Sequence, residues 1–256
     1  MPPETTTPPE VLPARQQLLD LVLIQFSNLR WAWASMVLTG VLMPVLMTLS
    51  FGAMADRGTD DVTTVLCGSV VLSLMFQNQN NVASNFAYMK AMGTLDFLAT
   101  LPVRRHLVVV ATVAAFFALS LPSVVATAAL GALVLGVPLS LSPWLVLVLP
   151  LCALPLAGIG AVVGITARTP EAAGSVSVLL SLVLVFLGPV LIPAGRLPGW
   201  VLATSHLSPA TYAASAVRQV LAGPVTARLA LDLAVLAGVS ALSLWWAGAR
   251  LPWRQG

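Results

Sequence analysis

The sequence predicts an all-α, polytopic membrane protein with six transmembrane helices. Two observations predict it. Of 256 residues, 58% are hydrophobic and 8% charged, with a mean hydropathy of +0.95, which excludes an ordinary soluble domain. Six apolar runs, at about 31–55, 62–86, 107–137, 143–167, 172–192 and 229–249, each supply the roughly 20 residues that a ~30 Å hydrocarbon core requires. An even number of spans puts both termini on one side.

Basic residues decide which side. With both termini inside, the inner segments carry Arg15, Arg30, Lys90, Arg104, Arg105, Arg168, Arg250 and Arg254, and the outer ones only Arg57, Arg196, Arg218 and Arg228. That excess predicts cytoplasmic termini in a multi-pass protein of the cell membrane. The first outer loop agrees, setting Asp56, Asp60 and Asp61 against Arg57. The net charge of +3 is then a topology signal. With no basic patch beyond Arg104-Arg105, nucleic acid is not an expected partner.

Residues 1–11 hold four prolines and no basic residue before a late, long apolar run, which predicts a disordered tail rather than a signal peptide. From 12 to 30, Gln16, Gln17, Asp20, Ser27 and Asn28 gather on one helical face and Leu18, Leu19, Val22, Phe26 and Leu29 on the other, with Ile24 and Gln25 breaking the pattern. This predicts an amphipathic helix in the inner interface, with Trp31 and Trp33 at headgroup depth. An inward extension of the first span is the alternative. Within or near the spans, Pro44, Pro122, Pro150, Pro155 and Pro189 allow kinks, and Gly160/Gly164 in the fourth permit close helix approach. Cys67 and Cys152 read as small buried apolar residues.

Between the second and third runs lies a short amphipathic segment, Gly93-Thr94-Leu95-Asp96-Phe97-Leu98-Ala99-Thr100-Leu101-Pro102-Val103-Arg104-Arg105. As a helix it places Phe97, Leu98 and Leu101 on one face, with Leu95 at the edge, until Pro102 stops it. Too short to span, it either anchors in headgroups or docks into a partner.

Catalytic and metal groups are not expected: the sequence has no phosphate loop, no H-E-x-x-H and no G-x-S-x-G. His106 and His206 lack neighbours at ligand spacing. Asp232 is the one strong acid in a span, and Arg228 four residues earlier predicts a surface pair with it. The polar anomaly is Gln77-Asn78-Gln79-Asn80-Asn81, followed by Ser84 and Asn85, in the inner third of the second run. Such amides either line the mouth of a pathway, for which Gln77, Asn78, Asn81, Ser84 and Asn85 are the candidates, or bond a subunit interface.

Three stretches together resemble a known family. The segment 93–103 resembles the "GTLE-x-LL-x-TPV" segment that follows the second span of ABC-2 type export permeases. Residues 164–173 are similar to their loop between spans four and five. Leu197-Pro198-Gly199-Trp200, then Leu207-Ser208-Pro209-Ala210-Thr211-Tyr212-Ala213 and Val217-Arg218-Gln219, are similar to their "LP-x-W … NP-x-TY-x-x-x-x-x-R" outer segment. Two departures stand out: Lys90-Ala91-Met92 where acidic residues are common, and Ser208 in place of Asn.

The resemblance implies the ABC-2 architecture: six spans, an N-terminal interfacial helix, a cytoplasmic coupling helix at 94–101 and outer re-entrant helices within 197–221, carrying Pro198, Trp200, Pro209, Tyr212 and Arg218. It implies docking of Gly93, Thr94, Leu95, Asp96, Phe97, Leu98, Leu101 and Pro102, with Arg104 and Arg105 at the inner surface, onto a separate ABC ATPase subunit. ATP and Mg would then be bound by that subunit, with no cofactor in this chain, and a second permease copy would complete a homo- or heterodimer among membrane lipids. The uncharged interior suits a small lipophilic substrate: a drug, natural product or lipid. A non-transporting membrane scaffold or sensor docked to the same ATPase is the alternative.

Overall fold

The computed structural model describes residues 13–30, 33–54, 60–140 and 142–251. The tail at 1–11, Trp31, Asp56 and Arg57 of the loop predicted to be outer, and Arg254 lie outside the described residues. Those described form helices joined by short turns, with no strand among them.

Helix α1 (Ala14–Leu29) lies along the later helix α6 (Arg105–Leu135). Its orientation corrects the two-face reading. Gln17, Leu21 and Gln25, one turn apart, are buried, while Leu19, Leu23, Ile24 and Phe26 are exposed. The amides turn inward because the protein offers partners: Gln25 Nε2 donates to Thr112 Oγ1 at 2.7 Å and Gln17 Nε2 to the Pro102 carbonyl at 3.4 Å. Gln25, which broke the pattern, is therefore the residue that fastens the helix.

Helix α2 (Trp33–Met54) contains Pro44. Proline deprives the carbonyl four residues earlier of its donor. Here that carbonyl belongs to Gly40, and Ser73 Oγ of the next helix donates to it at 2.9 Å. The Thr48 and Ser69 hydroxyls, 2.5 Å apart, tie the same two helices again.

The second predicted run extends past both of its expected ends. Helix α3 (Asp60–Leu74), a π-helical turn (Met75–Asn80) and α4 (Asn81–Ala91) follow one another without a break. The π-helical turn falls on the polar stretch, and the two apolar cores meet there. One core takes Leu74 and Met75 with Cys67, Cys152, Leu156 and Val217; the other takes Val82 and Phe86 with Leu95, Phe116 and Ala161. Both cysteines are buried and free.

After the short helix α5 (Thr94–Thr100), α6 ends at Gly136, whose φ of 66° is left-handed, the usual glycine stop. Helix α7 (Leu145–Thr166) packs along the last helix and across the π-helical turn. A Cβ on Gly160 would collide with the Gln79 carbonyl, and one on Gly164 with that of Ala83. The small pair thus brings α7 into backbone contact with the polar turn at Gly160 and with α4 just beyond it at Gly164. Helix α8 (Pro170–Phe186) starts on Thr169, whose Oγ1 accepts from the Ala172 N–H at 3.2 Å, with Pro170 in its first turn. It ends before the 172–192 run predicted, because Gly188-Pro189 cannot continue it. Its 17 residues reach about 25 Å, short of a ~30 Å core. Helices α9 (Gly199–Ser205), α10 (Pro209–Leu221) and α11 (Arg228–Arg250) complete the fold. By length and composition, α2, α6, α7 and α11 can each cross a membrane.

Candidate functional site

Gly93, at φ 72°, turns the chain between α4 and α5 with open space where a Cβ would stand, so the demand for glycine is conformational. At the far end Leu101 is extended, as a residue before proline must be. Helix α5 is held to the bundle by Leu95 and Leu98, 1% and 8% exposed, whereas Phe97 and Leu101 are 63% and 40% exposed. This corrects the predicted face. Leu98 does not join Phe97 and Leu101 in a single outward ridge; it packs inward beside Leu95 in the core of Phe86 and Val108. Thr94 is half-buried, and Asp96, Pro102 and Arg104 are exposed with Arg105 partly covered.

Phe97 and Leu101 overhang a cleft of about 600 Å³ between α1, α4, α5 and α6, whose other walls include Ile24, Tyr88, Met92 and Asn85. Lys90, beside it, donates to the Ile165 and Ala167 carbonyls, both at 3.0 Å. It caps the end of α7, which accounts for a cation where the resemblance expects an acid.

The polar turn bonds inside this chain. Gln77 Nε2 lies 2.7 Å from both the Met36 carbonyl and Ser123 Oγ, and Asn81 Nδ2 donates to Gln77 Oε1 at 2.7 Å. Gln77 and Asn78 are 3% and 0% exposed. As placed, Gln77 ties the π-helical turn to α2 and α6 within one chain, while Asn78 Nδ2 donates back to the Leu74 carbonyl of its own helix at 3.1 Å. Gln79 and Asn80 face α8: Gln79 Nε2 donates to the Ser177 carbonyl at 3.3 Å, and Ser181 Oγ to Asn80 Oδ1 at 3.3 Å. Asn81, Ser84 and Asn85 are partly covered, and Asn85 lines the cleft beside α5.

At the other end, Pro198 precedes α9 and Pro209 opens α10. Trp200 is exposed, Tyr212 Oη donates to the His206 carbonyl at 2.9 Å, and Arg218 Nη2 to that of Pro189 at 3.5 Å. Arg196 pairs with Asp61 at 2.5 Å. The expected surface pair of Asp232 is corrected: the carboxylate is fully buried. Its Oδ2 accepts from Ser215 Oγ at 2.6 Å and Gln219 Nε2 at 3.1 Å, while Gln219 Oε1 accepts from the Thr226 hydroxyl at 2.7 Å. Sequence reading missed this clasp because Ser215 and Gln219, one turn apart, carry no signal until α10 is laid on α11. His106 sits against Gly248, and no group of three or more potential metal ligands gathers among the described residues.

No curated protein matches the chain significantly. The family model of the ABC-2 type transporter matches residues 16–222, from α1 through the end of α10. That stretch holds α5, the polar turn, α9 and α10 alike, and the chain belongs to the ABC-2 type transporter family.

Proposed function

We propose that this protein is the membrane permease subunit of an ABC exporter, moving a small lipophilic substrate outward with ATP hydrolysed by a separate ATPase subunit that binds ATP and Mg. In this reading it works as a dimer of permeases, homo- or heterodimeric, in the cell membrane. Both termini are cytoplasmic, and the six spans are α2, the continuous segment 60–91, α6, α7, α8 and α11. The outer helices α9 and α10 are re-entrant, with Trp200 and Tyr212 at headgroup level, and narrow the exit.

One observation carries the proposal. A seven-residue helix is clamped to the bundle by one pair of leucines and leaves Phe97 and Leu101 uncovered over a cleft. An isolated helix of that length is unstable in water, so its order comes from Leu95 and Leu98. A partner that seats on Phe97 and Leu101 therefore pushes a part fastened to α4 through Gly93 and to α6 through Pro102. ATP-driven closure of two ATPases moves both helices together, and the outcome depends on contacts that differ between the inward- and outward-open states.

The test is Phe97→Glu. A carboxylate forced into an apolar contact loses hydration without gaining a partner. ATPase co-purification and export both fall while the permease inserts and folds normally. Retention of both by the variant would contradict the docking role and leave α5 a lipid anchor.

A further inference from the structure

Three helix ends converge at the α5 end of the bundle: the starts of α1 and α6 and the close of α11. Gln17 of α1 bonds the Pro102 carbonyl just before α6, and a Cβ on Gly248 of α11 would meet the His106 ring of α6. Leu18, Val103, Leu107 and Leu251 pack in one core beneath them. The junction brings together the positions of Arg15, Arg104, Arg105 and Arg250, with His106 among them. Arg105 is partly covered and the others are exposed. Among the described residues none of the four arginines has a carboxylate within ion-pair reach. Four permanent positive charges therefore share one end of the fold without a counter-ion.

Each of the three helices shows an uncovered apolar residue one turn further into the bundle. Leu19 follows Arg15, Val110 follows His106 and Trp246 precedes Arg250, each by four residues, and they are 62%, 41% and 47% exposed. Residues four apart share a helix face and lie about 6 Å apart along the axis. On α11 the step is direct: the Arg250 guanidinium stands 6.0 Å from the centre of the Trp246 ring, with Trp245 exposed beside it. A change from cation to bare hydrocarbon within one turn, repeated on three helices, has the depth of the boundary between headgroups and acyl chains. The acidic face of a soluble protein would meet the cations and leave the apolar ring uncovered. A lipid covers both.

We infer that the junction of α1, α6 and α11 is a binding site for the phosphate of an anionic glycerophospholipid, whose acyl chains lie against Leu19, Val110 and Trp246. The planar fork of a guanidinium matches phosphate oxygens two at a time. A zwitterionic lipid brings its own ammonium among the arginines and is disfavoured. Seated there, the headgroup ties the start of α1 and the close of α11 to the elbow at Pro102 from which α5 hangs. The composition of that leaflet thus bears on how firmly α5 is held. The inference needs the chain to lie in a membrane and does not depend on export or on an ATPase.

The test uses the full-length protein in phosphatidylcholine nanodiscs, doped with phosphatidylglycerol or with further phosphatidylcholine, either one brominated on its acyl chains. Bromine quenches tryptophan on contact, so quenching reports which lipid sits beside Trp245 and Trp246. Phosphatidylglycerol is preferred by about fivefold or more, the advantage of a single arginine at a bilayer surface. Trp245→Phe with Trp246→Phe removes the selective part of the quenching. Arg104→Gln, Arg105→Gln and Arg250→Gln together abolish the preference, the same three changed to Lys keep most of it, and Arg228→Gln at the other end leaves it intact. Equal quenching by the two lipids, a selective part that survives the Phe variant, or a preference that survives the Gln variant each overturns the site. So does displacement of the lipid by inorganic phosphate at matched ionic strength, which would make it a site for free anions. A Gln variant that loses the ATPase and keeps the lipid preference would assign the arginines to the partner instead. The lipid comparison and the Phe variant change no arginine, so a Gln variant that fails to fold leaves the test decisive.

Discussion

Leu98 and Phe97 are sequence neighbours on one short helix and do opposite things. Leu98, 8% exposed, secures α5; Phe97, 63% exposed, is free. Leu98→Ala should cost about 2–5 kcal/mol, the usual penalty for emptying a core leucine site. Phe97→Ala should stay within roughly 0.5 kcal/mol, as for an uncovered side chain. Thermal unfolding of the two purified variants in the same lipid checks the contrast; equal losses would mean that Phe97 is also structural. Gly93→Ala meets no neighbouring atom, so its expected cost is only the left-handed backbone strain of about 1–2 kcal/mol. Periodicity placed Phe97, Leu98 and Leu101 together because spacing registers hydrophobicity and cannot say which side of a short helix the rest of the protein covers. Asp232 shows the same limit: Arg228 lies one turn away in sequence, but its partners Ser215 and Gln219 come from another helix.

At the scale of the element, the long apolar helices were legible because a bilayer demands length and continuity, and the interiors of α2, α6, α7 and α11 have both. Their ends were less so. Gly188-Pro189 stops α8 early, and Gly93, not the last apolar residue, ends the second run. The π-helical turn could not be read from residue types at all, although the polar stretch that carries it stood out. What locks that turn is α7, where Gly160 and Gly164 let backbones meet. Gly160→Leu should therefore separate α7 from the polar turn and prevent stable folding, whereas Gly195→Leu, with nothing near its Cβ position, should be tolerated. Yield of monodisperse protein after detergent extraction distinguishes the two. Ser73→Ala is the subtler probe: it frees the Gly40 carbonyl that Pro44 has already deprived of a donor, at a cost of about 1–3 kcal/mol.

The whole molecule is an ABC-2 type membrane domain whose two apolar cores meet at a polar waist, with a short helix at one end and a paired-helix cap at the other. The orientation proposed from the basic-residue bias has its own test. A cysteine placed at 59 should react with a membrane-impermeant maleimide in intact cells, and one at 104 should not; the reverse would put α5 on the wrong face for an ATPase. The central claim is that α5 is the seat of that ATPase. The most direct measurement is site-specific photocrosslinking, with benzoylphenylalanine in place of Phe97 and, as a control, of Trp200. The account predicts a crosslink from position 97 to an ATP-hydrolysing chain, and none from position 200. Crosslinking from 97 to lipid alone, or to the ATPase from 200, would contradict it.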